Sequence, residues 1–147
     1  MNVLFDTNVF LDIIQKREPF YSASNHALDQ ALSGRIMGFV SVQSLKDIFY
    51  FVCKKLGRAD AFEVVEKISA LFKLTDISPD DSLATLMSNF NDYEDGLINA
   101  SAVRNGIDII LTRDDHGFIE SDLLIVHPDE LEKYLEPYVT LDSVTIG

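Results

Sequence analysis

Three aspartates stand where an apolar run meets a polar turn or the start of a helix. Asp6 follows Val3-Leu4-Phe5, Asp114 follows Ile109-Ile110-Leu111-Thr112-Arg113, and Asp95 closes Asn91-Asp92-Tyr93-Glu94, ahead of the helix that leads into the second run. If the two apolar runs are parallel strands, Asp6 and Asp114 come to the same sheet edge, each with a hydroxyl beside it at Thr7 and Thr112. Carboxylates crowded into one crevice repel and raise one another's pKa unless a divalent cation neutralises them. Oxygen donors without a Cys or His set select Mg²⁺ or Mn²⁺ over zinc, and the chemistry that follows is metal-assisted hydrolysis. Taken alone, Asp6-Thr7-Asn8 also reads as turn chemistry, with Asn8 capping the next helix and Thr7 orienting the Asp6 carboxylate.

Other chemistries are poorly supplied. His26 falls mid-helix, His116 follows an Asp pair and His127 precedes a helix, and none is tied by spacing to a Ser or Cys nucleophile. Gly34, Gly38 and Gly57 lack the spacing and the Lys-Ser/Thr partner of a phosphate loop. A fourth acid, Asp47, lies about 170° from the centre of the Val42, Leu45, Phe49, Val52 stripe at 100° per residue, so periodicity alone places it on a solvated face. Ile48 and Phe51 leave room for it to border a second buried surface.

The elements that must position these acids alternate between strand and helix. A buried strand at 3–5 leads into a helix carrying Val9, Phe10, Ile13 and Ile14. A second helix covers 20–33 and a strand 35–40. Ser41 is placed to cap a long helix ending at Leu56, which Gly57 terminates. A helix over 58–72, a strand near 73–77, a helix from Pro79 to about Asn89 and another to Asn105 follow. Then come strands at 107–111 and 124–126 and a terminal helix from His127-Pro128 to about Leu135. The tail from Tyr138 is expected to pair as an edge strand or dock on a partner. Strands separated by helices throughout predict one α/β domain over residues 1–147, a three-layer α/β/α arrangement around a mainly parallel sheet of about five short strands.

Length and composition suit this reading. A chain of 147 residues can bury a core without disulfides, and its one cysteine excludes an intrachain bridge and a Cys-based zinc cluster. With no basic-then-apolar leader and no apolar run near about eighteen residues, a soluble cytoplasmic protein with no membrane association is expected. The net charge of −12 argues against nucleic acid at face value. Residues 1–75, however, hold nine Lys and Arg against eight Asp and Glu, and residues 76–147 three against sixteen. The first half is therefore not acidic, and Lys46, Lys54, Lys55 and Arg58 gather there within thirteen residues. They serve either as cations at helix ends or as a phosphate-contacting patch.

Four segments in order carry a family resemblance: strand-Asp6-Thr7-Asn8, Ser41-Val-Gln-Ser-Leu-Lys-Asp47-Ile-Phe-Tyr, Asp92-Tyr-Glu-Asp95-Gly-Leu and Ile-Ile-Leu-Thr112-Arg113-Asp114. Over about residues 3–126 the chain resembles PIN-domain ribonucleases, particularly the VapC-type toxins of toxin–antitoxin pairs. The resemblance implies that Asp6, Asp47, Asp95 and Asp114 hold one or two Mg²⁺ or Mn²⁺ ions, with Asp92 as an alternate ligand. Thr7, Asn8 and Thr112 would orient them. The family commonly has Glu where this chain has Asp47. The resemblance further implies an endoribonuclease that hydrolyses RNA phosphodiesters with a metal-activated water, a homodimer, and an antitoxin partner. With RNA as substrate, the cations Lys54, Lys55, Arg58 and Arg113 are the expected contacts. The alternatives are a catalytically silent PIN-like module that binds RNA or protein, and a receiver-like phospho-acceptor domain, which would need a late-strand Lys not evident here.

Overall fold

The computed structural model of the protein describes residues 1–137. Its elements are β1 (Asn2–Phe5), α1 (Thr7–Gln15), α2 (Tyr21–Leu32), β2 (Met37–Ser41), α3 (Val42–Leu56), α4 (Arg58–Leu71), β3 (Lys73–Thr75), α5 (Pro79–Leu86), α6 (Tyr93–Arg104), β4 (Ile109–Leu111) and β5 (Leu124–Val126). Two 3₁₀ segments lie at His116–Phe118 and Pro128–Tyr134. The five strands form one sheet in the order β3-β2-β1-β4-β5, with every neighbouring pair parallel.

Period-two alternation divides the core between the two faces of that sheet. Val3, Phe5, Val40, Ile109, Leu111 and Val126 point to one side, where Phe10 of α1, Ala27 of α2, Leu45, Ile48 and Val52 of α3 and Ile68 of α4 cover them. Leu4 and Ile110 point to the other, against Ile98 and Ala102 of α6 and Phe118. This is the three-layer α/β/α arrangement expected from the sequence. At the centre of the larger core, the Phe72 ring meets Phe5 and Phe10 edge-on, at centroid distances of 4.9 and 5.1 Å. Gly38 makes room for it, since a Cβ there would lie 2.6 Å from the Phe72 ring.

Local chemistry explains most boundaries. The Ser41 hydroxyl accepts from the Ser44 N–H at 3.0 Å to start α3, and Gly57, at φ +93°, ends it. Ser78 and Asp81 form a reciprocal capping box at the start of α5. This helix stops at Leu86, short of the expected Asn89, because the Ser88 hydroxyl takes the Thr85 carbonyl at 2.6 Å. The expected terminal α-helix is instead the 3₁₀ segment beginning at Pro128, anchored by the fully buried Leu131. The segment from Tyr138 lies outside the described residues. Among those described, no helix is long and apolar enough to cross a membrane.

In this strand order the crossover direction reverses between β1 and β4, which is where open α/β sheets place their ligand crevice, beyond the carboxyl ends of the strands.

Candidate metal centre

Register alone brings the first two candidate residues together. Phe5 pairs with Leu111, so Asp6 and Thr112 leave the sheet side by side, with the Asp6 N–H still donating to the Leu111 carbonyl at 2.9 Å. The Thr112 hydroxyl donates to Asp6 Oδ2 at 2.7 Å and accepts from the Asp114 N–H at 3.0 Å. The Asn8 amide group donates to the same Asp6 oxygen at 3.3 Å and to the Thr112 hydroxyl at 3.2 Å, while its carbonyl accepts from the Arg113 N–H at 3.2 Å. Asn8 therefore does not cap α1, as the sequence suggested. Asp6 does so itself, accepting from the Thr7 N–H at 2.8 Å, which frees Asn8 inside the first turn to tie β1 to β4. Thr7 holds Asp6 through its backbone, not through the expected hydroxyl.

Asp95 and Asp114 approach from the other side of the crevice. Asp92 caps α6 by accepting from the Asp95 N–H at 2.9 Å, which fixes Asp95 in the first turn, and the Gly117 N–H donates to Asp114 Oδ1 at 3.2 Å. A Cβ on Gly117 would lie 2.6 Å from Asp95 Oδ2 and 3.0 Å from Asp114 Oδ2. The two carboxylates thus border one small space that the glycine keeps open.

These acids sense one another. Burial raises the Asp6 pKa, Asp114 and Asp47 push it further up, and the Thr112 and Thr7 hydrogen bonds pull it back. Asp95 is pushed up to about 6, chiefly by burial and then by Asp92, Asp6, Asp114 and Glu94. Asp47 is about two-fifths exposed and its Oδ1 lies 3.7 Å from Lys46 Nζ, so it is less solvated than periodicity predicted and close enough to act on Asp6.

Asp6, Asp95 and Asp114, with Asp47 at the margin, offer hard oxygen donors, and burial disfavours the charged form of Asp6 and Asp95. Carboxylate oxygens suit hard divalent cations over softer metals. Among the described residues no three such groups are gathered into a ready coordination sphere.

The expected basic contacts are placed differently. Lys54, Lys55 and Arg58 are exposed, but at the far end of α3 and the start of α4. At a rise of ~1.5 Å per residue, Lys54 lies about 10 Å further along the helix axis than Asp47. The reading of Arg113 as a phosphate contact needs correction. Its Nε and Nη2 fork onto Asp12 at 2.6 and 3.0 Å, and its Cζ lies 3.8 Å from the centre of the Phe20 ring. His26 pairs with Glu132 and His127 with Asp129.

Two residues at the site escaped the sequence reading, Gly117 and Asp12. Asp12 is fully buried within α1, where an acid on a helix read as amphipathic draws no notice. The available signal was its spacing. Asp12 is four residues after Asn8 and so shares its helix face.

A family model described as PIN domain matches residues 2–116. No curated protein matches in sequence. Among solved structures, the chain is similar to VapBC2 from Rickettsia felis bound to a DNA fragment from their promoter, with a TM-score of 0.67, 16% identity, and coverage of 86% of this chain and 98% of that one. It is similar to a toxin–antitoxin complex from Klebsiella pneumoniae, with a TM-score of 0.64, 20% identity, and coverage of 86% and 97%. VapC20 from Mycobacterium tuberculosis, a toxin that cleaves the sarcin–ricin loop, has a TM-score of 0.57, 11% identity, and coverage of 74% and 86%. At these identities the likeness is one of fold.

Proposed function

Because the chain belongs to the PIN-domain family, as its match over residues 2–116 shows, we propose that it is a Mg²⁺- or Mn²⁺-dependent endoribonuclease acting as one PIN-like domain over residues 1–147. The observation that carries this reading is geometric: the Thr112 hydroxyl joins Asp6 to the Asp114 N–H, and Gly117 leaves a gap bordered by Asp95 Oδ2 and Asp114 Oδ2. Burial raises the pKa of Asp6 and Asp95, and neighbouring acids add to it. Asp6, Asp95 and Asp114 would hold the cation, with Asp47 at the margin and Asp92 in reserve. When bound, a divalent cation supplies Lewis-acid activation of water and offsets the charge that builds on the phosphodiester. Thr112, Asn8 and the Thr7 N–H fix Asp6 before substrate arrives. A carboxylate not engaged with the cation accepts the proton of the attacking water.

Single-stranded RNA loops are the favoured substrate, since their exposed bases and bent backbone suit an open crevice. We place the protein as the toxin of a toxin–antitoxin pair, cytoplasmic and homodimeric, with an antitoxin partner. The fold shared with toxin–antitoxin structures supports this placement. A second reading, a silent binding module, draws on the Lys46–Asp47 contact and on the absence of a ready three-ligand sphere among the described residues.

Cleavage of a structured RNA in Mn²⁺ separates the two readings. Asp6→Asn and Asp95→Asn should each lower the rate at least ~100-fold. Equal cleavage by all three proteins would remove the nuclease assignment from these residues.

A further inference from the structure

We propose that the Asp12–Arg113 ion pair positions the Thr112–Asp114 segment, and through it sets the divalent-cation affinity of the acidic cluster; this rests on the metal reading above. Arg113 grips both Asp12 oxygens, Nε on Oδ2 at 2.6 Å and Nη2 on Oδ1 at 3.0 Å. Asp12 is fully buried, and the Ser24 hydroxyl of α2 also donates to its Oδ2, at 3.3 Å. The guanidinium is covered on one face by the Phe20 ring at 3.8 Å.

α1 thus holds residue 113 twice. Asn8 takes its backbone N–H and Asp12 takes its side chain, one helical turn apart. Thr112 on one side donates to Asp6, and Asp114 on the other faces Asp95 across Gly117. Asp114 lies between β4 and the 3₁₀ turn, outside any helix or strand, so no ladder of backbone hydrogen bonds sets its place. A planar fork on a buried carboxylate fixes orientation as well as distance, which an ammonium does not. A buried ion pair is weak as a source of stability and well suited to holding one arrangement against its alternatives.

The test is Mn²⁺ affinity, measured by calorimetry on the full chain, with amide exchange at residues 112–114 alongside. Arg113→Lys keeps the charge and loses the fork. The double variant Asp12→Leu/Arg113→Met removes the buried Asp12 charge together with its partly buried partner and keeps the volume apolar, which protects folding. Each variant should bind Mn²⁺ about tenfold more weakly than the wild type and exchange faster at 112–114, and Asp6→Asn serves as the reference. Affinities within about twofold of the wild type for both variants, with Asp6→Asn failing to bind, would overturn the positioning role and leave the metal site standing. Wild-type affinity in Asp6→Asn would instead bring down the metal reading itself.

Discussion

The Thr112 hydroxyl donates to Asp6 Oδ2 at 2.7 Å, joining the carboxyl ends of two strands whose residues are 106 positions apart in the chain. Thr112 is almost fully buried, and its oxygen also accepts from the Asp114 N–H, so one side chain aligns two of the acids. Thr112→Val keeps the shape and removes both bonds together with the one from Asn8. It should lower stability by roughly 1–2 kcal/mol in urea titration and raise the Asp6 pKa further, because a bond that favours the charged form is gone. Thr112→Ser should restore most of both effects.

The pH dependence of stability follows from Asp95. Its folded pKa of about 6 lies above the ordinary 3.8, so the folded chain binds the proton more tightly than the unfolded one. Its contribution is therefore present below pH 3.8 and is lost as the pH rises through about 6. Asp95→Asn should flatten this part of the metal-free curve and gain ~1 kcal/mol at pH 7, after discounting for solvent screening of a partly exposed group. The comparison to make is the difference between variant and wild-type stability across pH 4–7, since Asp81 and Glu132, both lowered by arginine partners, contribute with the opposite sign in each protein. A flat difference would count against the crowding of Asp95.

Mn²⁺ should raise the thermal midpoint of the wild type, by roughly 2–4 °C for each kcal/mol of binding free energy. In Gly117→Ala that rise should fall by about half or more while the metal-free midpoint changes little. The added methyl meets the far ends of Asp95 and Asp114, and residue 117 does not need the left-handed conformation. Gly106→Ala is the converse control. At φ +70°, with nothing near a Cβ, it should cost about 1 kcal/mol of backbone strain and leave the Mn²⁺ response intact.

Much of this was legible in the sequence because strand ends and caps are local. Val3–Phe5 and Ile109–Leu111 announce buried strands, and once these are neighbours in register, Asp6 and Thr112 must meet. Periodicity set Asp47 on a solvated face, and its side chain is about two-fifths exposed, near enough to Asp6 to raise the pKa of that acid. Asn8 was misread because Asp6, one residue before the helix, satisfies the first N–H and leaves Asn8 to act across the sheet. Arg113 and Asp12 are 101 residues apart, and nothing local links a charge in a loop to an acid on a helix. Gly117 is informative only through the two carboxylates beside it, which no spacing rule discloses.

Placing β1 at the middle of the sheet has a consequence for synthesis. As the chain leaves the ribosome, β1 emerges before the other four strands, yet one of its two flanking strands and the residue that orients Asp6 come more than a hundred codons later. At ~5–20 residues per second that interval is several seconds or more. A nascent or prematurely terminated chain ending before Thr112 has no means of assembling the crevice. Topology thus withholds the proposed nuclease activity from partial translation products.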